Sequence, residues 1–325
     1  MEVALYFASI DRLLAIEEAL QRLNLNDIPS TVSNAIFPEA INNREYYGNL
    51  AALELLHSHC DVGEEASRLY FGQEFCEHLI PSPDEVRQAY YFARQLGWEF
   101  TYVTGCLTDA GLERTCANLD ALAEEGAGEV VVNDWGMLSV LSRDYAAFTP
   151  VLGRLLVKQT RLGVSADHGL RAVNMAAIDT DEDDIRANQL RGFRGLSLSN
   201  GAYQDELARL GIERVDLDIT PQGVSLPEEE GDFSFGFYFP WGYVTGGRNC
   251  FTASLQDPVR RHVVLDEPCA RPCQSFNCTA PIRHRSDGVT HRGNSVFLFH
   301  GPAAQPYING ELPMSRLIFE PYIPI

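Results

Sequence analysis

The stretch RLYFGQEFCEHLIPSPDEVRQAYYFARQLGWEFTYV, Arg68 to Val103, places a short aromatic-rich run, a loop, a helical pattern and a second β-type run in succession. RLYF from Arg68 and EFTYV from Glu99 have the β-branched and aromatic content of strands. Between them Ser82, Pro83 and Asp84 form a helix start signal: a hydroxyl at the cap, proline at the first helical position and an acid in the first turn. The spacing predicts a helix from Pro83 to Leu96. Strand, helix and strand in that order make a βα unit, because parallel neighbours need a crossover between them.

Working outward, the same alternation recurs along the chain. Six further runs read as strands: VALYF from Val3, EVVV from Glu129, PVLGRLL from Pro150, GFRGLSL from Gly192, RVDLDI from Arg214 and FSFGFYF from Phe233. Helical patterns cover Asp11 to Leu23, Asp109 to Glu124, and Ala202 to Leu210, the last stopped by Gly211. Eight strands with intervening helices predict a TIM-like (β/α) barrel, with an open doubly wound sheet as the alternative. The rhythm breaks between Asn24 and Ala66, where a polar loop and a helical stretch from Asn49 to His57 read as an insertion at 24–66. After Cys278 the runs NSVFLFHG, QPYIN and SRLIFEPY suggest a small antiparallel β appendage. The expected organisation is a barrel over 1–278, with a cysteine-bearing segment at 246–278, and a short β-rich C-terminal extension over 279–325.

A chain of 325 residues with 45% hydrophobic content can bury one large core. Its 25 basic and 45 acidic residues, a net charge of −20, argue against nucleic acid and anionic membrane surfaces as partners. The best basic stretch, RHRSDGVTHR (Arg283, His284, Arg285, His291, Arg292), is short and lacks interleaved aromatics. No run of eighteen apolar residues and no secretory leader pattern occurs, so a cytoplasmic protein with no membrane span is expected. In that reducing compartment eight cysteines point to metal binding or catalysis rather than disulfides. The acidic run from Asp179 to Asp184 lacks the glycine and terminal glutamate of a calcium loop, and like Glu228 to Asp232 it reads as a solvated loop.

TGGRNCFTASL followed by DEPCARPCQSFNC sets Cys250, then Cys269 after eighteen residues, Cys273 after three more and Cys278 after four. Thiolates at this spacing, on Gly- and Pro-containing backbone, can converge on zinc or an iron–sulfur centre. Cys76 directly follows the second strand, where a barrel presents its working face, so it is a further ligand candidate. Spacing alone leaves open a local zinc site on Cys250, Cys269, Cys273 and Cys278. The isolated Cys106 and Cys116 are expected in the core.

At these residues the sequence resembles the collagenase-like peptidase family thirty-two, the peptidase U-32 type. The similar segments are LYFGQEFC (Leu69 to Cys76), GGRNCFTA, CARPC, EVVVNDWGMLSVL from Glu129 and VLGRLLVKQ from Val151. The resemblance implies a TIM-like barrel and a [4Fe–4S] cluster on Cys76, Cys250, Cys269 and Cys273, with Cys278 outside the set and zinc as the alternative. It further implies oxygen-independent hydroxylation, or related redox chemistry, on a small molecule such as a quinone precursor. A homologous UbiU-like protein is the expected partner. The gap between Cys250 and Cys269, the 24–66 insertion and the C-terminal tail depart from the family pattern.

Strand-end polar residues would line the barrel mouth. Arg154 could clamp a carboxylate, and Asp216 or Asp218 could accept protons as catalytic groups. Asn133, Asp134, Lys158 and Arg248 are the expected substrate-binding residues, with Arg248 also placed to offset cluster charge. The alternative functions are a peptidase or hydrolase of the same family and a zinc-stapled structural or partner-binding protein. The hydrolase reading lacks a GxSxG elbow or an HExxH helix, and His57, His59 and Cys60 in LLHSHCD do not share a helix face.

Overall fold

A computed structural model describes residues 1–15, 66–126, 128–161, 182–227, 233–256, 263–264, 268–282, 285–299 and 312–325. The helical stretch 49–57, the group His57, His59 and Cys60, and Glu228 to Asp232 lie outside the described residues, as does nearly all of the 24–66 segment.

Eight parallel strands close into a barrel. In chain order they are β1 (Glu2–Phe7), β2 (Arg68–Gly72), β3 (Glu99–Val103), β4 (Glu129–Val132), β5 (Thr149–Leu152), β6 (Arg214–Asp218), β7 (Ser234–Phe239) and β14 (Met314–Phe319). Helices α1 (Ile10–Ala15), α2 (Pro83–Gln95), α3 (Asp109–Glu125) and α4 (Trp135–Asp144) follow the first four strands, and α5 (Glu182–Arg194) and α6 (Gly201–Arg209) lie between β5 and β6. The start signal at Ser82 is realised as a capping box: Ser82 accepts from the Glu85 N–H, and Glu85 accepts from the Ser82 N–H.

Two departures from the sequence reading concern the same barrel position. GFRGLSL is not a strand; it ends α5 and continues into a 3-10 turn at Ser197–Ser199. Its alternating Leu196 and Leu198 are buried, which mimics a strand period, but Leu196 makes only an isolated bridge to Gln159. The eighth strand is β14, within SRLIFEPY, which pairs in parallel with both β1 and β7. The barrel is therefore closed by the two ends of the chain, and residues 314–319 belong to it rather than to a C-terminal extension. The appendage is instead inserted between β7 and β14. Its four antiparallel strands are β8 (Trp241–Gly246), β11 (Cys278–Ile282), β12 (Arg285–Arg292) and β13 (Ser295–Phe299), in the order β11-β12-β13-β8. Two short pieces, β9 (Asn249–Cys250) and β10 (Val263–Val264), pair beside helix α7 (Phe251–Gln256).

Alternation sorts the barrel residues cleanly. Val3, Leu5, Phe7, Leu69, Phe71, Val215, Leu217, Phe237 and Leu317 face the helices in the main core. Ala4, Tyr6, Tyr70, Val103, Val131, Val151, Tyr238 and Ile318 fill the barrel interior. Charged layers sit on either side of this plug. At the N-terminal end of the strands Arg316 bonds Glu2 and Glu129, and Arg68 also pairs with Glu2. At the C-terminal end a second ion network forms around Arg154. Among the described residues no helix is long and apolar enough to cross a membrane.

Candidate functional site

The loops after the strands build the site, and small residues let them approach. Gly72 ends β2 at φ +140, and a Cβ there would lie 2.1 Å from the Val103 carbonyl oxygen. This close passage launches the loop that carries Glu74, Phe75 and Cys76. Gly153 does the same after β5, because a side chain would meet Asn133 Oδ1 at 2.2 Å.

Arg154 is fully buried and its guanidinium is saturated. It donates to Glu74 Oε2 at 2.6 Å, to Glu320 Oε1 at 2.6 Å and to Asp218 Oδ1 at 3.0 Å, and it packs 3.7 Å above the Tyr238 ring. Burial opposes its charge, but Glu320, Glu74 and Asp218 outweigh that cost and hold it protonated. Asp218 is itself held below its ordinary value against burial, by Arg154 and then Arg161. Its Oδ2 accepts from Arg161 Nε at 2.7 Å, and its Oδ1 also accepts from the Tyr243 N–H at 3.0 Å. Burial pushes Glu74 up and Glu320 well above the usual carboxylate range. Three carboxylates face two guanidiniums, and Glu320 Oε2 has no protein hydrogen-bond partner.

The expected site residues thus fall in different places. Arg154 and Asp218 meet each other at the C-terminal end of the barrel, but as a buried strut rather than as groups open to a ligand. Asp216 lies deeper, in the barrel interior, where Oδ2 accepts from Tyr70 Oη at 3.1 Å and burial pushes its carboxyl up to about 7. Asn133 is buried and bonds Glu74 Oε1, the Thr104 carbonyl and the Leu155 N–H. Asp134 caps α4, accepting from the Gly136 and Met137 N–H groups at 2.8 and 3.1 Å. Lys158 is exposed, its backbone N–H bonded to Ser197 Oγ. Arg248 is exposed beside the mouth and donates to the Leu107 carbonyl at 3.3 Å.

Glu74, Glu320 and Arg161 were not selected from sequence. Glu74 carries a local signal, standing two residues before Cys76 on the loop after β2. Glu320 directly follows β14, a strand the sequence reading assigned to the appendage, so its position was hidden with that strand.

Cys76, Cys250, Cys269 and Cys273 come from three separated segments. Cys76 and Cys250 are buried in one cluster with Ala253, against which Leu79 and Cys269 pack. Cys269 and Cys273 flank a turn whose Arg271 adopts left-handed backbone at φ 55. Burial, and then the nearby Cys273, Cys250 and Cys269, push the Cys76 thiol up to about 12. Donors already point at the sulfurs: the Ala253 N–H at Cys250 (3.4 Å), the Arg271 N–H at Cys269 (3.3 Å) and Gln274 Nε2 at Cys273 (3.8 Å). Among the described residues no three His, Cys, Asp or Glu side chains are spaced to hold a single metal ion. Cys278 starts β11 opposite His291 on β12. Cys106, expected in the core, is exposed, because the loop after β3 turns it outward.

Beside the cysteines opens a cavity of about 540 Å3, lined by Phe75, Glu77, Cys106, Trp135, Arg161, Tyr243 and Arg248 among others. Phe75 precedes Cys76, Glu77 follows it, and Arg248 stands two residues before Cys250, so the segments that carry Cys76 and Cys250 also supply side chains to the cavity. No protein-family model, curated protein or solved structure gives a significant match to this chain.

Proposed function

We propose that this chain is a [4Fe–4S] protein similar to UbiV, with Cys76, Cys250, Cys269 and Cys273 as the cluster ligands. On this reading it takes part in oxygen-independent hydroxylation, or related redox chemistry, on a small molecule such as a quinone precursor, together with a homologous UbiU-like partner. The observation that carries the reading is the gathering of four thiols from three separated segments near a cavity at the C-terminal end of the barrel. The donor set suits a soft metal centre, and N–H groups directed at its sulfurs are the contacts that tune an iron–sulfur potential. A tetrahedral zinc holds every sulfur within about 2.3 Å of one point. The zinc alternative would require these side chains to draw together, since no described set is spaced for one ion.

When held by Cys76, Cys250, Cys269 and Cys273, the cluster would supply one-electron or Lewis-acid chemistry. The chain's own residues do the rest. The Arg154 strut ties the loop that leads into Cys76, through Glu74, to β6 through Asp218 and to β14 through Glu320. Asp218 in turn fastens the appendage through the Tyr243 N–H. The loop bearing Cys76 and the sheet leading to Cys250 are thereby fixed relative to one another before any metal arrives.

The test is anaerobic purification followed by iron, zinc and acid-labile sulfide analysis with a visible spectrum. About four irons and four sulfides per chain are expected for one such cluster. Stoichiometric zinc without sulfide would reject the reading.

A further inference from the structure

We infer that the cavity between Trp135, Tyr243 and Arg248 binds a small aromatic anion, with its ring against the aromatic wall and its acid group on the Arg248 guanidinium. The assignment follows from which lining groups retain bonding capacity. Three carboxylates border the cavity, and all three are engaged internally. Glu74 is taken by Arg154 and Asn133, and Glu77 accepts from the Thr108 N–H at 2.9 Å and Oγ1 at 3.1 Å. Asp134 is the cap of α4. The acidic groups therefore offer little to a cationic ligand.

Of the two cations at the wall, Arg161 has its charge paired with Asp218, and its Nε and Nη2 are taken by that carboxylate and by the Arg154 and Val157 carbonyls. Arg248 is exposed, and its described side-chain bond to the Leu107 carbonyl uses one of five guanidinium donors. A planar fork with spare donors selects a carboxylate or a similar oxyanion. The rest of the wall combines an apolar and aromatic group with the neutral polar side chains of Asn133, Thr245, Asn294 and Ser295. Phe75 and Tyr243 stack at 5.1 Å, Leu155 and Leu156 adjoin them, and Trp135 is 47% exposed. Exposed tryptophan in a concave wall has apolar area to cover, and a ligand ring supplies the matching face. In a chain this acidic, Arg248 is the cation at this wall with no carboxylate partner among the described residues, and so the one an anion would find.

The inference rests on the proposed function only in taking the bound molecule to be the one that reacts; binding itself needs no cluster. Of the chain's three tryptophans, Trp98 and Trp241 are buried, so Trp135 is the natural optical reporter. The test titrates the full chain, purified anaerobically, with 2-naphthoate by calorimetry and tryptophan quenching, alongside 2-naphthamide and cyclohexanecarboxylate. Expected is saturable naphthoate binding that is at least tenfold weaker for either comparison compound. Arg248→Gln should weaken naphthoate at least tenfold with iron and sulfide content unchanged, and Trp135→Phe should abolish the quench. Equal binding of the uncharged amide, an unchanged affinity in Arg248→Gln, or no naphthoate binding at millimolar concentration would overturn it. Arg248-dependent binding by a chain devoid of iron would leave this inference standing while the cluster reading fell.

Discussion

Arg154 Nη2 lies 2.6 Å from Glu320 Oε1, although 166 positions separate the two residues in the chain. Arg154 follows β5 and Glu320 follows β14, and both are fully buried. A pair this deep is not in itself a large source of stability, but removing one partner strands the other. Arg154→Met should therefore destabilise the fold by about 3–5 kcal/mol, whereas Glu320→Gln, which keeps an acceptor oxygen for the guanidinium, should cost less, about 1–3 kcal/mol. Urea unfolding of the two variants checks the order.

Asp216 should make stability fall as pH rises. Its folded carboxyl is pushed up to about 7 by burial, and Oδ1 lacks a protein partner. A raised folded value means the folded state binds the proton more tightly. The contribution is fully present below the unfolded value of about 4 and is lost as pH rises through about 7. Wild-type protein should lose on the order of 2 kcal/mol relative to Asp216→Asn between pH 5 and pH 8. Parallel denaturant curves at the two pH values would show it, and identical pH slopes would contradict it.

Cys76→Ala and Cys278→Ala separate the two ligand sets. With the loop after β2 contributing a ligand, the first variant should lose most of its iron and sulfide and the second should keep both. Metal and sulfide analysis on anaerobic protein reads the difference, and the reverse pattern would favour the local cysteine group.

Asp134→Ala distinguishes a helix cap from a ligand contact. Losing the carboxylate that accepts from two backbone N–H groups at the start of α4 should cost about 0.5–2 kcal/mol of stability. Naphthoate affinity should change less than threefold. A large affinity loss without a stability loss would reassign the residue to the ligand.

Gly72→Ala should be among the most damaging single-methyl additions. The new Cβ would meet the Val103 carbonyl at 2.1 Å in backbone at φ +140. A loss of about 2–4 kcal/mol is expected, or failure to fold, measured by thermal unfolding.

The barrel was legible wherever a strand and its helix are neighbours in sequence. Arg68 to Val103 encodes its own βα unit, because alternation in Leu69, Tyr70 and Phe71 and the Ser82 cap act over a few residues. Seven of the eight barrel strands were found this way. The eighth was misplaced because a barrel strand buried on both sides looks like any short apolar run, and Leu196 and Leu198 copy its period without making a ladder. At the site, Arg154 and Asp218 could be selected as strand-end residues, but their mutual pairing could not, since sequence position does not state which side chains meet inside a closed barrel.

The sequence by itself determined the alternating βα pattern, the helix start at Ser82 and the presence of a clustered cysteine set. These depend on local backbone geometry and residue chemistry. Only the tertiary structure decided that β14 closes the barrel against β1, and that Glu74 and Glu320 converge on Arg154. It also decided that Cys76 lies among thiols far along the chain and that Arg248 retains spare donors at a cavity. Each of these is set by closure, where one strand's register fixes the position of residues more than a hundred places away, and no local signal carries that distance.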